Sequence, residues 1–254
     1  METRYYKDEL NDDFASKADF KKRVIGDDYK YIHTNPFYRG FAFFISTFIL
    51  SPLTAGGFRL FNCVKIKNKK ALRKLKGRYI IYANHTQPFG DSVLPTCLAW
   101  PRKPYVIVNS DVVSIPGTKK IVELMGALPV PDTKAAGSHL FDAIKHYVNK
   151  GCPIAIYPEA HLWPYYNGVR YFKSDSFTYP FIFNVPCVAV TVIYRQRKIF
   201  KNKRPHPTYV ISNPFYPKNF ENKEQLRDKV YEFMKKTIDR NGSFAYINYV
   251  KKED

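Results

Sequence analysis

Acidic residues are scarce in this chain. Its 254 residues carry 22 aspartates and glutamates against 41 lysines and arginines, a formal net charge of +19. A surplus of that size argues against a protein with no anionic partner. It fits nucleic acid, anionic lipid or a phosphate-bearing ligand, and composition alone does not choose among them. Cysteine is also sparse. Cys63, Cys97, Cys152 and Cys187 form no C-x-x-C pair and no zinc-like spacing, so no metal site is expected. Three of the four sit in apolar segments, as buried thiols do, which argues against a thiol hydrolase built on Cys97, Cys152 or Cys187 and fits a reducing cytosol. There is no internal repeat and no low-complexity tract. The opening stretch METRYYKDELNDDF lacks an apolar core, so no secretory signal is expected.

Aromatic residues, by contrast, are plentiful. Twenty Tyr and twenty Phe bring the aromatic share to 17%, and such rings favour boundaries that are dry on one side and wet on the other. Residues 1–35 are polar, with acidic pairs at Asp12-Asp13 and Asp27-Asp28, and read as a loose arm or short helix. Residues 36–62 follow as an apolar aromatic segment with no charge between Arg39 and Arg59. It is nearly long enough to span a bilayer. Its serines, threonines and glycines weaken a full span, and Pro52 is expected to break or kink a helix there. An interfacial or re-entrant segment and an ordinary buried helical hairpin are the two readings that remain. A basic run from Lys65 to Arg78 comes directly after it, the arrangement of a protein seated on an anionic cytoplasmic leaflet.

Residues 63–254 read as an α/β domain. RYIIYAN, PYVIVN, CPIAIYPE, CVAVTVIYR and PTYVISNP are short apolar runs rich in β-branched and aromatic residues, the pattern of buried strands. Between them, Leu140, Ile144 and Val148 recur at helical spacing. Leu226, Val230, Phe233 and Met234 do so near the end, before Arg240-Asn241-Gly242 stops that helix. Alternation of this kind predicts a mixed, mainly parallel sheet flanked by helices, preceded by the membrane-associating helical segment.

Two strand ends carry candidate chemistry. RYIIYAN ends in Asn84-His85-Thr86, and Asp91 follows beyond a Pro88–Gly90 turn. The carboxyl ends of strands are where α/β proteins place ligands. A carboxylate returning onto the imidazole would hold the Nδ1 proton and leave Nε2 free as a base. A capping Asp91 and a structural histidine would give the same local sequence. The second constellation is Tyr157-Pro158-Glu159-Ala160-His161, at the end of CPIAIYPE. Glu159 and His161 there are candidates to bind acceptor hydroxyls, although a local Lys or Arg partner explains Glu159 equally well.

Together these blocks resemble the glycerolipid acyltransferase superfamily typified by lysophosphatidic acid acyltransferases. The resemblance runs from about Arg59 to Asn213. Asn84, His85 and Asp91 match the first block, N-H-x-x-x-x-D, with Thr86 inside it. Gly126-Ala127-Leu128-Pro129-Val130 matches the second, Tyr157-Pro158-Glu159 the third, and Val185-Pro186-Cys187-Val188-Ala189-Val190 the fourth. Phe172-Lys173 resembles the basic position after the third block. The departures are specific. Five residues rather than four separate His85 from Asp91. Pro131-Asp132 stands where an arginine usually follows the second block, and Ala160-His161-Leu162 replaces Gly-Thr-Arg. Those arginines recognise phosphate in the family, and Arg170 and Lys173 are the downstream cations available to replace them.

The resemblance implies direct acyl transfer with His85 as general base and Asp91 as its support, from acyl-CoA or acyl carrier protein to a lipid-like acceptor. No cofactor or metal is implied. Glu159, His161, Arg170 and Lys173 become candidate acceptor-binding residues, and Asn84, Thr86, Gly126 and Pro158 their motif support. An acceptor without phosphate is the alternative within the same chemistry. A basic nucleic-acid-binding protein is the alternative from another class. It is disfavoured because the basic residues cluster beside apolar segments.

Overall fold

The computed structural model describes residues 1–15, 22–201 and 203–252. A seven-stranded sheet organises them. Along the chain its strands are β2 (Lys65–Lys67), β3 (Ile80–Ala83), β4 (Tyr105–Val108), β5 (Ala127–Pro129), β6 (Ile154–Ile156), β7 (Cys187–Arg195) and β8 (His206–Ile211). In space the order is β2-β8-β7-β3-β6-β4-β5. Every pairing is parallel except the β7–β8 hairpin. The mixed, mainly parallel sheet expected from the sequence is therefore present, and all five anticipated strands belong to it.

Central strands buried on both faces read as continuous apolar runs. The period-two alternation of β3 and β7 divides those runs between two cores. Ile80, Tyr82, Cys187 and Ala189 face one way. They meet Leu140, Ile144 and Val148 of α5 (Lys134–Asn149) and Leu226, Val230 and Met234 of α7 (Lys223–Asn241). Ile81, Ala83, Val188 and Val190 face the other way, onto Val93, Leu94, Cys97 and Leu98 of α3 (Gly90–Ala99). Side-chain caps open the two long helices: Thr133 Oγ1 accepts from Ala136 N at 3.1 Å, and Asn222 Oδ1 accepts from Gln225 N at 2.9 Å. Gly242, at φ 66°, ends α7 as the sequence predicts.

Two regions differ from expectation. The N-terminal arm is docked rather than loose. Its strand β1 (Glu2–Tyr6) pairs in parallel with β9 (Ile247–Lys251) in a separate two-stranded sheet. Residues 16–21 of the arm lie outside the described residues. The apolar segment is one helix, Pro36–Phe61, rather than a broken one. It begins as α1 (Pro36–Phe44), passes through π-helical turns at Ile45–Leu50 and Pro52–Gly56, and ends as α2 (Gly57–Phe61). Pro52 opens the second π-helical stretch. The wider hydrogen-bonding register of such turns is one way a helix continues past a residue that lacks an N–H.

This helix is long and apolar enough to cross a membrane by length and composition, at about 39 Å for 26 residues. Much of its surface is uncovered: Phe37 is 88% exposed, Phe61 78% and Leu53 70%. The buried helical hairpin read from sequence as an alternative does not describe it.

Candidate active site

The site lies at the carboxyl end of β3. Asn84, the first residue beyond that strand, is fully buried and acts as a backbone surrogate. Its Oδ1 accepts from Val192 N at 2.7 Å and its Nδ2 donates to Val192 O at 3.2 Å. The sheet contact thus continues past the end of β3 and fixes where the next residue emerges. That residue, His85, is partly open to solvent, with about a quarter of its side chain exposed. Its backbone is held from both sides: the amide donates to Glu159 Oε2 at 3.3 Å and the carbonyl accepts from Trp163 N at 3.2 Å.

His85 Nδ1 lies 2.7 Å from Asp91 Oδ2. The residue extra to the family spacing is absorbed by the turn. Gln87 N donates to Asp91 Oδ2 at 3.0 Å and Gln87 Nε2 to Asp91 Oδ1 at 3.2 Å. Asp91 is in the first turn of α3 and is buried. Three donors converge on its carboxylate, which sets its orientation before any substrate arrives. With the Nδ1 proton held by Asp91, Nε2 is the ring nitrogen left with a lone pair.

Tyr157 closes one side. Its ring centroid is 4.8 Å from that of His85, and its hydroxyl donates to the Asp91 carbonyl at 2.5 Å. Burial, reinforced by the Asp91 charge, raises its pKa far above the phenol range and keeps it a neutral donor. Thr86 is fully buried, its Oγ1 2.9 Å from Tyr194 Oη.

Glu159 and Arg170 form a separate buried pair behind His85. Both side chains are fully inaccessible, with Nη2 3.1 Å from Oε2. Arg170 N also donates to Glu159 Oε1 at 3.2 Å. Arg170 Nη1 donates to Glu9 O at 3.2 Å, Nη2 donates to His161 O, and the guanidinium lies 4.9 Å over the Trp163 ring. Burial pushes the Glu159 pKa up, and the charge of Arg170 pulls against it.

The acceptor-binding set read from sequence is therefore not assembled at one cleft. Arg170 is committed to Glu159 and to backbone carbonyls, a placement its position downstream of Tyr-Pro-Glu did not disclose. His161 faces the N-terminal segment, its Nδ1 3.7 Å from Asp13 Oδ2, and Lys173 is exposed on the segment packed toward α7. Pro158, half-buried, shapes the turn that carries Glu159. Gly126 serves the fold. Its φ is +99°, and a Cβ there would lie 2.4 Å from Pro104 O, so β4 and β5 meet only with glycine at this point.

Sequence reasoning missed the contact between the apolar helix and the His85–Asp91 turn. A Cβ on Gly90 would sit 2.7 Å from Phe58 Cζ and 2.6 Å from Gln87 Oε1. Glycine there lets Phe58 settle onto the turn, and Phe58 and Phe89 have ring centroids 6.0 Å apart. A cavity of about 450 Å³ opens between them. Leu53, Phe58 and Phe61 of the helix line it, with Gln87–Gly90, Tyr165, Tyr194 and Arg204. Arg204 comes from the basic β7–β8 connection, whose charge was the available signal.

A model of the family described as Acyltransferase matches residues 63–193, more than half of the chain. The protein belongs to that acyltransferase family, and the lipid acyltransferase superfamily recognised from its four blocks is the right one. The fold is similar to that of the 1-acyl-sn-glycerophosphate (LPA) acyltransferase PlsC from Thermotoga maritima. The TM-score is 0.57 at 19% identity, over 82% of this chain and 90% of that one. No curated protein matches the chain.

Proposed function

We propose that this acyltransferase moves a fatty acyl group from an acyl-CoA or acyl-carrier-protein thioester onto a hydroxyl of a lysophospholipid-like acceptor at the cytoplasmic face of a membrane. The observation that carries the reading is the His85–Asp91 pair, 2.7 Å apart at a strand end, on a turn that the exposed apolar helix contacts through Phe58 at Gly90. His85 Nε2 takes the proton of the acceptor hydroxyl. The oxygen attacks the thioester carbonyl, the carbon–sulfur bond breaks, and the departing thiolate recovers the proton from the imidazolium. Asp91 stabilises the imidazolium between these transfers. No acyl-enzyme is needed. The helix Pro36–Phe61 and the basic run Lys65–Arg78 hold the cleft at the bilayer, where a single-chain lipid is at high local concentration.

His85→Ala tests the assignment. Loss of one positioned base is expected to lower the rate of acyl transfer by roughly 10²–10⁴. The thermal midpoint should fall only modestly, since Gln87 N and Nε2 still donate to the buried Asp91 carboxylate when the imidazole is gone. Transfer within tenfold of the parent rate would overturn the role of His85.

The acceptor reading favours a lipid without a terminal phosphate monoester. Arg170 is committed internally, and Arg204 is the single lysine or arginine among the described residues lining the cavity at the catalytic turn. A monoester carrying close to two charges needs more than one such partner when it leaves water.

A further inference from the structure

A second, larger cavity of about 1,210 Å³ lies at the opposite end of the sheet. Tyr79 just before β3, Tyr105 at the start of β4, Ala127 at the start of β5 and Cys152 just before β6 all line it. It therefore opens at the amino ends of the parallel strands, whereas His85 stands beyond their carboxyl ends. Tyr79 and His85 are six residues apart along an extended strand, about 20 Å. This cavity cannot present a thioester to His85.

Its lining is strongly unbalanced in charge. Eight lysines and arginines contribute, among them Arg39, Arg73, Lys76, Arg102 and Lys103, against the one carboxylate of Glu123. Glu123 is already engaged: it accepts from Tyr29 Oη at 2.8 Å and lies 3.7 Å from Lys119 Nζ. Among the described residues, none of the eight cations is within ion-pair distance of a carboxylate. Lys103 is mostly buried all the same, its Nζ 5.1 Å over the Tyr105 ring, and burial lowers its pKa to about 8. Like charges gathered in a cavity without counter-charge raise the free energy of the empty site and focus a positive potential into it.

The same cavity is bounded by Phe43 and Phe48 of the apolar helix and by Leu72, Leu98 and Trp100. Trp100 Nε1 donates to Thr47 O at 3.0 Å and fastens this wall to the helix. Phe43 and Phe48 are each about half exposed, so the cavity gives onto the face whose other aromatic side chains are uncovered. A soluble anion has no use for such walls. A molecule with a phosphate at one end and hydrocarbon at the other uses both, and its chain can lie along a helix that already meets the bilayer.

We propose that this cavity is a binding site for one anionic phospholipid drawn from the membrane, with its phosphate among Arg102, Lys103 and their neighbours and an acyl chain against Phe43 and Phe48. The site is distinct from the catalytic cleft and does not depend on the role given to His85.

The test uses the full chain reconstituted in vesicles of phosphatidylcholine alone or of phosphatidylcholine with phosphatidylglycerol. Lipid that stays with the released protein is counted by native mass spectrometry. One phosphatidylglycerol per chain is expected, in preference to phosphatidylcholine. The triple variant Arg102→Gln/Lys103→Gln/Lys150→Gln should hold it roughly a hundredfold more weakly. A control triple, Lys198→Gln/Lys201→Gln/Lys203→Gln, removes the same charge from an exposed connection outside the cavity and should retain it. Equal weakening in both triples would mean diffuse surface attraction and overturn the site, as would the absence of a retained anionic lipid.

A second measurement needs no variant. Cys152 is on the cavity wall, and its alkylation, followed by peptide mass spectrometry, should be slower with phosphatidylglycerol than with phosphatidylcholine alone. Equal rates would overturn the proposal. Equal protection by inorganic phosphate without vesicles would replace the lipid with a soluble anion. A failure of His85→Ala to reduce acyl transfer would leave all of these results standing, so the two proposals fail separately.

Discussion

Replacing Arg170 with methionine separates two roles that the sequence left together. If the guanidinium grips an acceptor headgroup, the variant folds normally and binds acceptor poorly. The structure leads to the other outcome. The Arg170 and Glu159 side chains are both fully inaccessible, 3.1 Å apart. Methionine keeps much of the volume over Trp163 but removes the positive charge, and Glu159 is left as a buried carboxylate. Breaking a buried pair from one side costs about 3–5 kcal/mol, more than the pair itself contributes relative to apolar residues. For a chain of this size that corresponds to a fall in thermal midpoint of roughly 6–20 °C. Two backbone donors, the His85 and Arg170 amides, still reach Glu159, which places the expected value toward the lower end. The double variant Arg170→Met/Glu159→Gln removes both charges and should recover a large part of the loss, giving a coupling of more than about 1 kcal/mol in a double-mutant cycle. Denaturant titration in a zwitterionic detergent gives the stabilities, and steady-state kinetics on the surviving folded fraction gives KM. A destabilisation below about 1 kcal/mol, together with a large rise in acceptor KM, would refute the structural role and restore Arg170 to the acceptor site.

Gly126→Ala forces a side chain into backbone at φ +99° and against Pro104 O, so a loss of at least about 1–3 kcal/mol from strain is expected in the urea midpoint. A shift of less than about 0.5 kcal/mol would show that the β4–β5 junction gives way easily. Lys103→Met should stabilise the lipid-free protein at neutral pH. Burial holds the Lys103 pKa near 8 against an ordinary 10.5, so the folded state binds fewer protons than the unfolded one between those values and the parent gains stability as pH rises through them. The advantage of the variant should accordingly be largest below pH 8 and shrink toward 10.5; a gap independent of pH would contradict the assignment. Lysophosphatidic acid should be a poorer acceptor than its dephosphorylated counterpart, since a monoester taken from water without a bidentate partner loses several kcal/mol. A strong preference for the phosphate form that Arg204→Gln abolishes would reverse this and name the recognition residue.

The elements that were legible in the sequence are those whose pattern is local. Each of the five apolar runs became a strand because it is short and rich in β-branched and aromatic residues, with β3, β6 and β7 buried on both faces, and α5 and α7 followed from helical spacing with a capping residue ahead. What stayed hidden depends on partners distant along the chain. The β1–β9 pair joins opposite ends of the chain, and neither strand shows strong alternation. Arg170 looked like a ligand because a cation after Tyr-Pro-Glu has that role in the resembling family. Its burial is decided by Glu9, His161 and Trp163, and no spacing rule brings these together. Pro52 was read by its usual effect on an α-helix, whereas this helix accommodates it in a π-helical turn.

The placement of the apolar helix bears directly on how the site works. It packs along α3: Phe58 lies over Gly90 in the His85–Asp91 turn, Cys97 Sγ is 3.8 Å from Ala55 O, and Trp100 Nε1 donates to Thr47 O beside the basic cavity. Both ends of α3 are therefore in contact with a segment long and apolar enough to cross a membrane, and α3 carries Asp91 in its first turn. Nine of the ten residues of α3 are buried, and its interior Pro95 is a point where it can bend, so the contact that bears on Asp91 is the Phe58–Gly90 one in the same turn. Seating of Pro36–Phe61 in a bilayer would then set the position of Asp91, and through the 2.7 Å contact the orientation of His85. The residue whose size governs this coupling is Gly90. Alanine there would have to displace both Phe58 and Gln87. Gly90→Ala should consequently lower acyl transfer more on vesicles than with a short-chain soluble acceptor in detergent. Equal loss in the two assays would mean that the turn is disturbed locally and that the helix does not position it.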